Sequence, residues 1–171
     1  MKIKILKNKH YPFPYFFLAL PVWTGKFKEI EKNFMFTESC LYDLQNNDQF
    51  DVNKLFGFSI GLHHNISFRF GWRALPNEKK IEILTDEYHD GIRQEQKSIG
   101  KINIDVWYKF QLIYYWDNVN EKTIYYLYNP YESYGITNNF SIKKKSGLGY
   151  TLGLYFGGNK KAPHDIIIYK K

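Results

Sequence analysis

Two histidines and two arginines lie close together near the middle of the chain, and their side chains are suited to bind an anion or to transfer a proton. They are His63, His64, Arg69 and Arg73. A guanidinium group holds a carboxylate or a sulfate through paired hydrogen bonds. An imidazole titrates near neutral pH and can serve as a general base. The segment therefore predicts either a site for an anionic group or a site of proton transfer.

Residues 66–73 alternate between polar and apolar side chains, which predicts a strand. Successive side chains of a strand point to opposite faces, so Arg69 and Arg73 share one face with Ser67 and Gly71. Gly71 leaves a flat spot between the arginines, where a ligand or another side chain can approach. The opposite face is expected in the core and holds three aromatic residues, Phe68, Phe70 and Trp72.

The arginines have a second interpretation, in which they pair with carboxylates of neighbouring strands such as Glu82 or Glu87. In the first interpretation, the rim of the same face is completed by Tyr88 and His89, which precede the predicted Asp90-Gly91 turn. The candidate ligand-binding residues are then His63, His64, Arg69, Arg73, Tyr88 and His89.

A cation, a histidine and a tyrosine are also the groups that β-elimination of a uronic acid needs. The cation stabilises the carboxylate, while the histidine or tyrosine removes the adjacent proton. The candidate catalytic residues are accordingly His64, Tyr88 and Arg69.

The sequence predicts no metal ion and no cofactor. Adjacent residues on a strand point apart, so His63 and His64 are not expected to hold one ion together. A third ligand would have to be His89 or His164, and the spacing does not bring either of them near. Cys40 is the single cysteine of the chain, which excludes a cysteine-based zinc site. No phosphate-binding loop or serine nucleophile motif occurs either.

Aromatic residues are unusually frequent, at 15 Tyr, 14 Phe and 4 Trp, and this enrichment favours strands. Alternation along two successive strands should place half of their aromatic rings in the core. The other half either forms a platform on which sugar rings stack or is covered as well. The residues concerned are Trp107, Tyr108, Tyr114, Tyr115, Trp116, Tyr125, Tyr126 and Tyr128.

The net charge of +7 favours an anionic partner, although lysines spread along a solvated surface explain it equally well. No basic stripe and no nucleic-acid-binding module is recognisable, so we expect no nucleic-acid partner. The apolar run Tyr15 to Trp23 follows several lysines but is interrupted by prolines and lacks a cleavage site. It is too short to span a membrane. We therefore expect no signal peptide, no membrane partner and, by default, a cytoplasmic location.

The arrangement of short strand candidates and turn signals predicts an all-β protein, an antiparallel β-sandwich. The connections are too short for the helical crossovers of a parallel sheet. A length of 171 residues fits one domain, and the pattern defines residues 1–25 least. Phe27 to Glu31 is expected to form a short helical turn. The sequence carries no indication of an oligomeric state.

Three stretches together resemble bacterial concanavalin A-like jelly-roll proteins of the lectin and glucanase type. They are residues 53–58, residues 67–73, and residues 155–159 with 162–165. The resemblance runs from Phe34 to the C-terminus. It implies two curved antiparallel sheets with the ligand on the concave face, in a superfamily that includes lectins, laminarinase-type hydrolases and alginate-type lyases. The catalytic strand motifs of those hydrolases and lyases are not found here, so no catalytic residue is carried over.

These observations lead to three functional hypotheses. The first is a non-catalytic carbohydrate-binding domain whose ligand, a glycan with or without acidic groups, lies on the concave sheet face. The second is a polysaccharide lyase or glycoside hydrolase acting on an acidic glycan. The third is a structural or partner-binding sandwich without a glycan ligand.

Overall fold

The computed structural model describes residues 1–14 and 19–171, and these residues form strands and three short 3-10 turns but no α-helix. The strands are β1 Lys2–Ile5, β2 Pro12–Phe13, β3 Pro21–Thr24, β4 Phe27–Phe36, β5 Asn53–Ser59, β6 Ser67–Leu75, β7 Lys80–His89, β8 Ile92–Arg93, β9 Ser98–Asn103, β10 Trp107–Trp116, β11 Glu121–Tyr128, β12 Ser133–Asn139, β13 Gly147–Leu152 and β14 Ile166–Lys170. The 3-10 turns are Glu38–Cys40, Asn47–Phe50 and Pro76–Glu78. No helix within these residues has the length and hydropathy needed to cross a membrane.

The strands form two sheets, and all strand pairs within each sheet are antiparallel. The first sheet has the order β12-β11-β10-β4-β14-β1-β2. The second has the order β3-β13-β5-β6-β7-β8, with β9 also pairing with β7. The inner faces of the two sheets enclose one hydrophobic core. The predicted antiparallel β-sandwich is confirmed.

The core is built mainly from aromatic rings contributed by both sheets. Phe70 of β6 contacts Phe110 of β10 and Tyr125 of β11, with ring centroids 5.2 Å and 4.9 Å apart. Such edge-to-face pairs contribute about 0.5–1.5 kcal/mol beyond the apolar area they bury. The predicted alternation of aromatics on β10 and β11 is present. Three of them are buried in the core, namely Tyr108, Tyr114 and Tyr125, whereas Trp107, Tyr115, Tyr126 and Tyr128 lie on the outer face.

Some predicted elements differ from the structure. The helical turn expected at Phe27 to Glu31 is wrong, because these residues begin β4 and pair with β10 along its length. The segment that returns after the Asp90-Gly91 turn is divided into two strands, β8 and β9. The polar edge strand β12 was not predicted. The apolar run from Tyr15 to Trp23 lies partly outside the described residues, and its end forms β3.

A buried carboxylate connects the two sheets. Glu87 of β7 is 2% exposed, and its Oε1 accepts hydrogen bonds from Thr123 Oγ1 at 2.6 Å and Tyr125 Oη at 2.8 Å. His89 Nε2 lies 3.0 Å from the other carboxylate oxygen. A buried charge is tolerated only where partners of this kind satisfy it. The hydroxyls of β11 therefore allow an ionisable residue to sit between the sheets.

Replacing Tyr125 by Phe tests this connection. The substitution keeps the ring but leaves Glu87 with one hydroxyl partner fewer, so the free energy of unfolding should fall by about 1–3 kcal/mol. Chemical denaturation measures the change. Tyr126→Phe, on the outer face of the same strand, is the matched control and should change stability by less than about 0.5 kcal/mol. Equal effects of the two substitutions would contradict the role of the buried hydroxyl.

Candidate functional site

The face of the second sheet that points away from the core carries most of the predicted site residues. Because Phe68, Phe70 and Trp72 enter the core, the alternate residues of β6 point outward. Two rows of outward side chains cross the strands. One row consists of Ser59, Ser67, Tyr88 and Arg93, and the other brings Gly57, Arg69 and Asp86 side by side.

A cavity of about 550 Å³ opens on this face. It contains four of the six residues predicted to bind ligand: His63, His64, Arg69 and Tyr88. The remaining lining residues come from β5, β8, β13, the segments that flank these strands, and the residue before β2. They are Tyr11, Lys54, Arg93, Tyr150, Leu152, Gly153, Leu154, Tyr155, Gly157, Gly158 and Asn159.

Asp86 lies beneath this cavity and holds two guanidinium groups. Its carboxylate is fully buried. One oxygen accepts hydrogen bonds from Arg93 Nη2 at 2.8 Å, Arg93 Nε at 3.2 Å and Gln96 Nε2 at 3.2 Å. The other oxygen lies 2.7 Å from Arg69 Nη2. Asp86 therefore fixes both arginines, one from β6 and one from β8.

Arg69 is 9% exposed and lines the cavity, yet its hydrogen-bonding capacity is not used up. Its contact with Asp86 is an ion pair without hydrogen-bond geometry. Arg69 Nε has no hydrogen-bond partner among residues 1–14 and 19–171. Buried donors are normally paired, so this guanidinium has one donor whose hydrogen-bonding capacity the described residues leave unused.

The cations around Asp86 determine its ionisation. Burial by itself raises the pKa of this carboxyl, but the positive charges of Arg69, Lys54 and Arg93 outweigh burial and hold the pKa below its usual value. Asp86 is therefore ionised at neutral pH, and the group contributes stability above the ordinary aspartate pKa. That contribution is lost as the pH falls through the lowered pKa.

Lys54 reaches the cavity because of a β-bulge. The register between β5 and β6 shifts between Lys54 and Phe56, so Lys54 stands opposite Gly71 on the outer face. Its amino group donates to the carbonyl of Val52 at 2.6 Å. Burial lowers the pKa of Lys54 to about 8, with Arg93 and Arg69 acting in the same direction and Asp86 opposing them. At neutral pH this amine still carries its proton.

His63 and His64 lie in the turn between β5 and β6, and the structure contradicts the prediction that they point apart. The Leu62 carbonyl accepts from the amides of Asn65 and Ile66, so the backbone there is a turn and not a strand. The two imidazole centroids are 4.0 Å apart, and both rings face the cavity.

Two tyrosines hold the histidine pair. Tyr150 Oη lies 2.6 Å from His63 Nδ1, and the ring of Tyr88 meets His64 edge-on at 5.4 Å. Burial, followed by the neighbouring His64 and Arg69, lowers the pKa of His63. This environment favours a neutral His63 imidazole at physiological pH.

The hairpin after β7 braces the histidine turn. Asp90 and Gly91 have φ values of 49° and 87°, the left-handed conformation of the predicted two-residue turn. The Gly91 amide donates to the Asn65 carbonyl at 2.9 Å. The Asp90 carboxylate accepts from the Lys143 amide at 3.1 Å and 3.2 Å. The hairpin tip thus joins the histidine turn to the lysine-rich segment that follows β12.

Arg73 does not lie in the cavity. Its Nε donates to Glu82 Oε2 at 2.6 Å, as the second interpretation of the sequence proposed. Arg69 and Arg73 are four positions apart on the same strand, so their backbones are about 13 Å apart. This distance is too great for both guanidinium groups to clamp one small anion. The expected flat spot at Gly71 is filled, because a Cβ at that position would lie 2.3 Å from Val52 Cγ1.

His89 lies on the opposite face from Tyr88, because adjacent strand residues point to opposite sides. Its ring packs between Phe68 and Phe140 beside Glu87, at centroid distances of 5.7 Å and 4.5 Å from the two phenyl rings. It lines a second cavity of about 530 Å³ and does not reach the first. His89 is therefore placed away from the other predicted ligand-binding residues.

Among the described residues, no group of three or more His, Cys, Asp or Glu side chains is arranged to hold a metal ion. His164 Nε2 lies 2.8 Å from the Ser39 carbonyl, away from His63 and His64. Cys40 is buried, and burial raises the pKa of its thiol to about 12. Such a thiol stays protonated at neutral pH and is not an activated nucleophile.

Sequence reasoning missed Lys54, Arg93 and Tyr150. Regular alternation assigns Lys54 to the same face as Phe56. The β-bulge moves Lys54 to the opposite face, and nothing in the sequence marked that bulge. Arg93 could have been found, because a two-residue turn at Asp90-Gly91 pairs Tyr88 with Arg93 and places both on one face. Tyr150 lies in β13, and its partner His63 comes from a distant part of the chain, so no local pattern connects the two residues.

No protein-family model matches the sequence, and no curated protein matches it. Solved structures give similarities at low identity. The chain is similar to the CBM2 module of the evolved Dit of Lactobacillus casei BL23 phage J-1, with 10% identity over 88% of this chain and 67% of that one, and a TM-score of 0.42. It is similar to chicken galectin 2, with 9% identity over 99% of this chain and 98% of that one, and a TM-score of 0.34.

The chain is also similar to a bifunctional GH43-CE protein of Bacteroides eggerthii, with 9% identity and a TM-score of 0.47. That match covers 90% of this chain but only 21% of the Bacteroides protein. All three similarities have TM-scores below 0.5, so they carry no argument about what this chain binds.

Proposed function

We propose that this chain is a non-catalytic carbohydrate-binding domain whose ligand enters the cavity on the outer face of the second sheet. The observation that carries the proposal is the group of three cations, Lys54, Arg69 and Arg93, gathered around the buried Asp86 at that cavity. Two of these cations are guanidinium groups already fixed in position. A ligand there meets donors that need little reorganisation.

The charge balance of the cavity favours an acidic glycan. Lys54, Arg69 and Arg93 face Asp86, and Lys54 and Arg93 also interact with Asp51, so three cations stand against two nearby carboxylates. A carboxylate or sulfate on a sugar supplies the missing negative charge, with the bidentate geometry that guanidinium groups favour.

The walls of the cavity suit a sugar ring as well as its acidic substituent. Tyr88, Tyr150 and His64 present ring surfaces together with polar atoms, and Leu152 and Leu154 add apolar area. Sugar-binding surfaces combine flat apolar patches with hydrogen-bonding edges in this way. Nucleic acid would need a longer basic surface, so carbohydrate remains the proposed partner.

The proposal includes the architecture around the site. We take residues 1–171 as one sandwich domain of the concanavalin A-like jelly-roll type, with the cavity on the concave face of the second sheet. In support, β1 pairs with β14 and β3 pairs with β13, so both ends of the chain contribute to the two sheets.

A second candidate function is β-elimination from the same acidic glycan. The 2.6 Å contact between Tyr150 Oη and His63 Nδ1, in a cavity that also holds Arg69, favours it. The histidine–tyrosine pair would remove the proton next to the sugar carboxylate. The resulting electron pair would form a carbon–carbon double bond as the bond to the leaving sugar oxygen breaks, and that oxygen would take up a proton.

Replacing Arg93 by Ala tests the binding site. Arg93 is the more exposed of the two guanidinium groups on Asp86, with 43% of its side chain accessible, so the fold should tolerate its loss. Affinity for galacturonate, alginate or sulfated oligosaccharides should fall about tenfold or more, as expected for a lost hydrogen bond to a charged group. Titration calorimetry measures the change.

The matched control is Arg73→Ala, which removes an arginine paired with Glu82 outside the cavity and should leave the affinity unchanged. Failure of the unmodified protein to bind any of the three glycan classes would contradict the proposed function. Release of an unsaturated uronide, detected by its ultraviolet absorbance, would favour the lyase over the non-catalytic domain.

The pKa of Lys54 predicts how binding depends on pH. Because that pKa is lowered to about 8, the amine loses its charge as the pH rises through this value, and affinity for an acidic glycan should fall. The glycan carboxylate, Asp86 and Arg93 keep their charges in this range. Affinity measured from about pH 7 to about pH 9 should therefore decline by a few-fold.

Lys54→Arg is the control for this prediction, since a guanidinium group stays charged throughout the range. The variant should bind with an affinity that changes little with pH. A decline of the same size in both proteins would assign the pH dependence to another group.

A further inference from the structure

Three exposed apolar side chains lie next to the cavity and form what we term the apolar ledge: Trp23, Leu148 and Leu62. They are 66%, 62% and 68% exposed. Isolated exposed apolar residues are common, but a contiguous group beside a polar site indicates a contact surface. The side chains of these three residues take no part in the hydrogen bonds and ion pairs described above for the cavity.

The sheet register places Trp23 and Leu148 on the same face as the cavity. Trp23 of β3 pairs directly with Leu148 of β13. Their neighbours Thr24 and Gly147 are buried, so the alternate residues Trp23 and Leu148 point outward. Tyr150, two residues beyond Leu148 and so about 7 Å along the strand, lines the cavity.

Leu62 joins the ledge to the other side of the cavity. The Gly61 amide donates to the Leu148 carbonyl at 3.0 Å, which places the turn that carries Leu62 against β13. His63, the next residue, lines the cavity. The ledge and the cavity therefore share both β13 and the histidine turn, and they form one continuous surface.

We propose that the apolar ledge is a second sugar subsite and that the ligand is an acidic oligosaccharide spanning the ledge and the cavity. The inference rests on the proposed function of the cavity. One unit places its acidic group among Lys54, Arg69 and Arg93, while a neighbouring unit stacks on Trp23. A single sugar unit cannot occupy both places.

The test is the dependence of affinity on oligosaccharide length. Galacturonate and alginate oligomers of increasing length, starting from the disaccharide, are titrated into the unmodified protein and into Trp23→Ala. The unmodified protein should gain affinity about tenfold as the oligomer becomes long enough to reach the ledge, the order expected for one aromatic stacking contact. Trp23→Ala should lose this gain and keep its affinity for the shortest oligomer that binds.

Two further variants sharpen the comparison. Trp23→Phe keeps an aromatic face and should retain part of the gain with length. Tyr131→Ala removes an aromatic side chain that is 94% exposed elsewhere on the surface, and its length dependence should equal that of the unmodified protein.

Each other result overturns the inference in a recognisable way. If Trp23→Ala gains affinity with length as the unmodified protein does, the ledge is not a subsite, although the cavity stays a glycan site. If sedimentation shows a dimer of the chain that Trp23→Ala dissociates, while glycan affinity at every length is unchanged, the ledge is a contact between copies. If the unmodified protein binds no acidic oligomer, the proposed function fails and the ledge proposal fails with it.

Discussion

The buried carboxylate of Asp86 is the interaction on which the outer face of the second sheet depends. A charge with no access to water has to be compensated, and here Arg69 and Arg93 compensate it from the two strands that flank β7. The ion pairs with Asp86 also bring the two guanidinium groups close together. The spacing of β6 and β8, which lie on either side of β7, would not do so by itself. The same ion pairs therefore contribute both to the stability of the fold and to the positive charge of the cavity.

The two outer faces of the sandwich use their cations differently. On the first sheet, lysines lie over aromatic rings, with Lys171 Nζ 4.3 Å from the centroid of Trp107 and Lys109 Nζ 5.6 Å from that of Tyr128. Lys109 also pairs with Glu31 at 3.0 Å. On the second sheet, the cations of Lys54, Arg69 and Arg93 surround a cavity. The net charge of the chain is therefore less informative than its distribution between the faces.

Sequence patterns predicted the regular parts of this structure well. Alternation identified β6 and the face that carries Arg69, and the Asp90-Gly91 turn fixed the hairpin after β7. The strands at Phe27 to Glu31 and at β12 were missed although both are regular, but most errors that concern the cavity occur where the backbone leaves regular geometry. A bulge turns Lys54 outward, a turn brings His63 and His64 to the same side, and a strand prediction cannot distinguish a free Arg73 from one paired with Glu82. Contacts such as Tyr150 with His63 join residues far apart in the chain, and local patterns do not contain them.

The hairpin tip at Asp90 and Gly91 has a consequence for the thermodynamics of association. It is hydrogen-bonded both to the carbonyl of Asn65 and to the amide of Lys143, so the histidine turn and the lysine segment are anchored to the end of β7 before any ligand arrives. Loops that become ordered only on binding subtract conformational entropy from the affinity. The histidine turn and the lysine segment are already ordered before binding, so most of that entropy loss is avoided. Several weak contacts with a ligand can then sum to a measurable affinity.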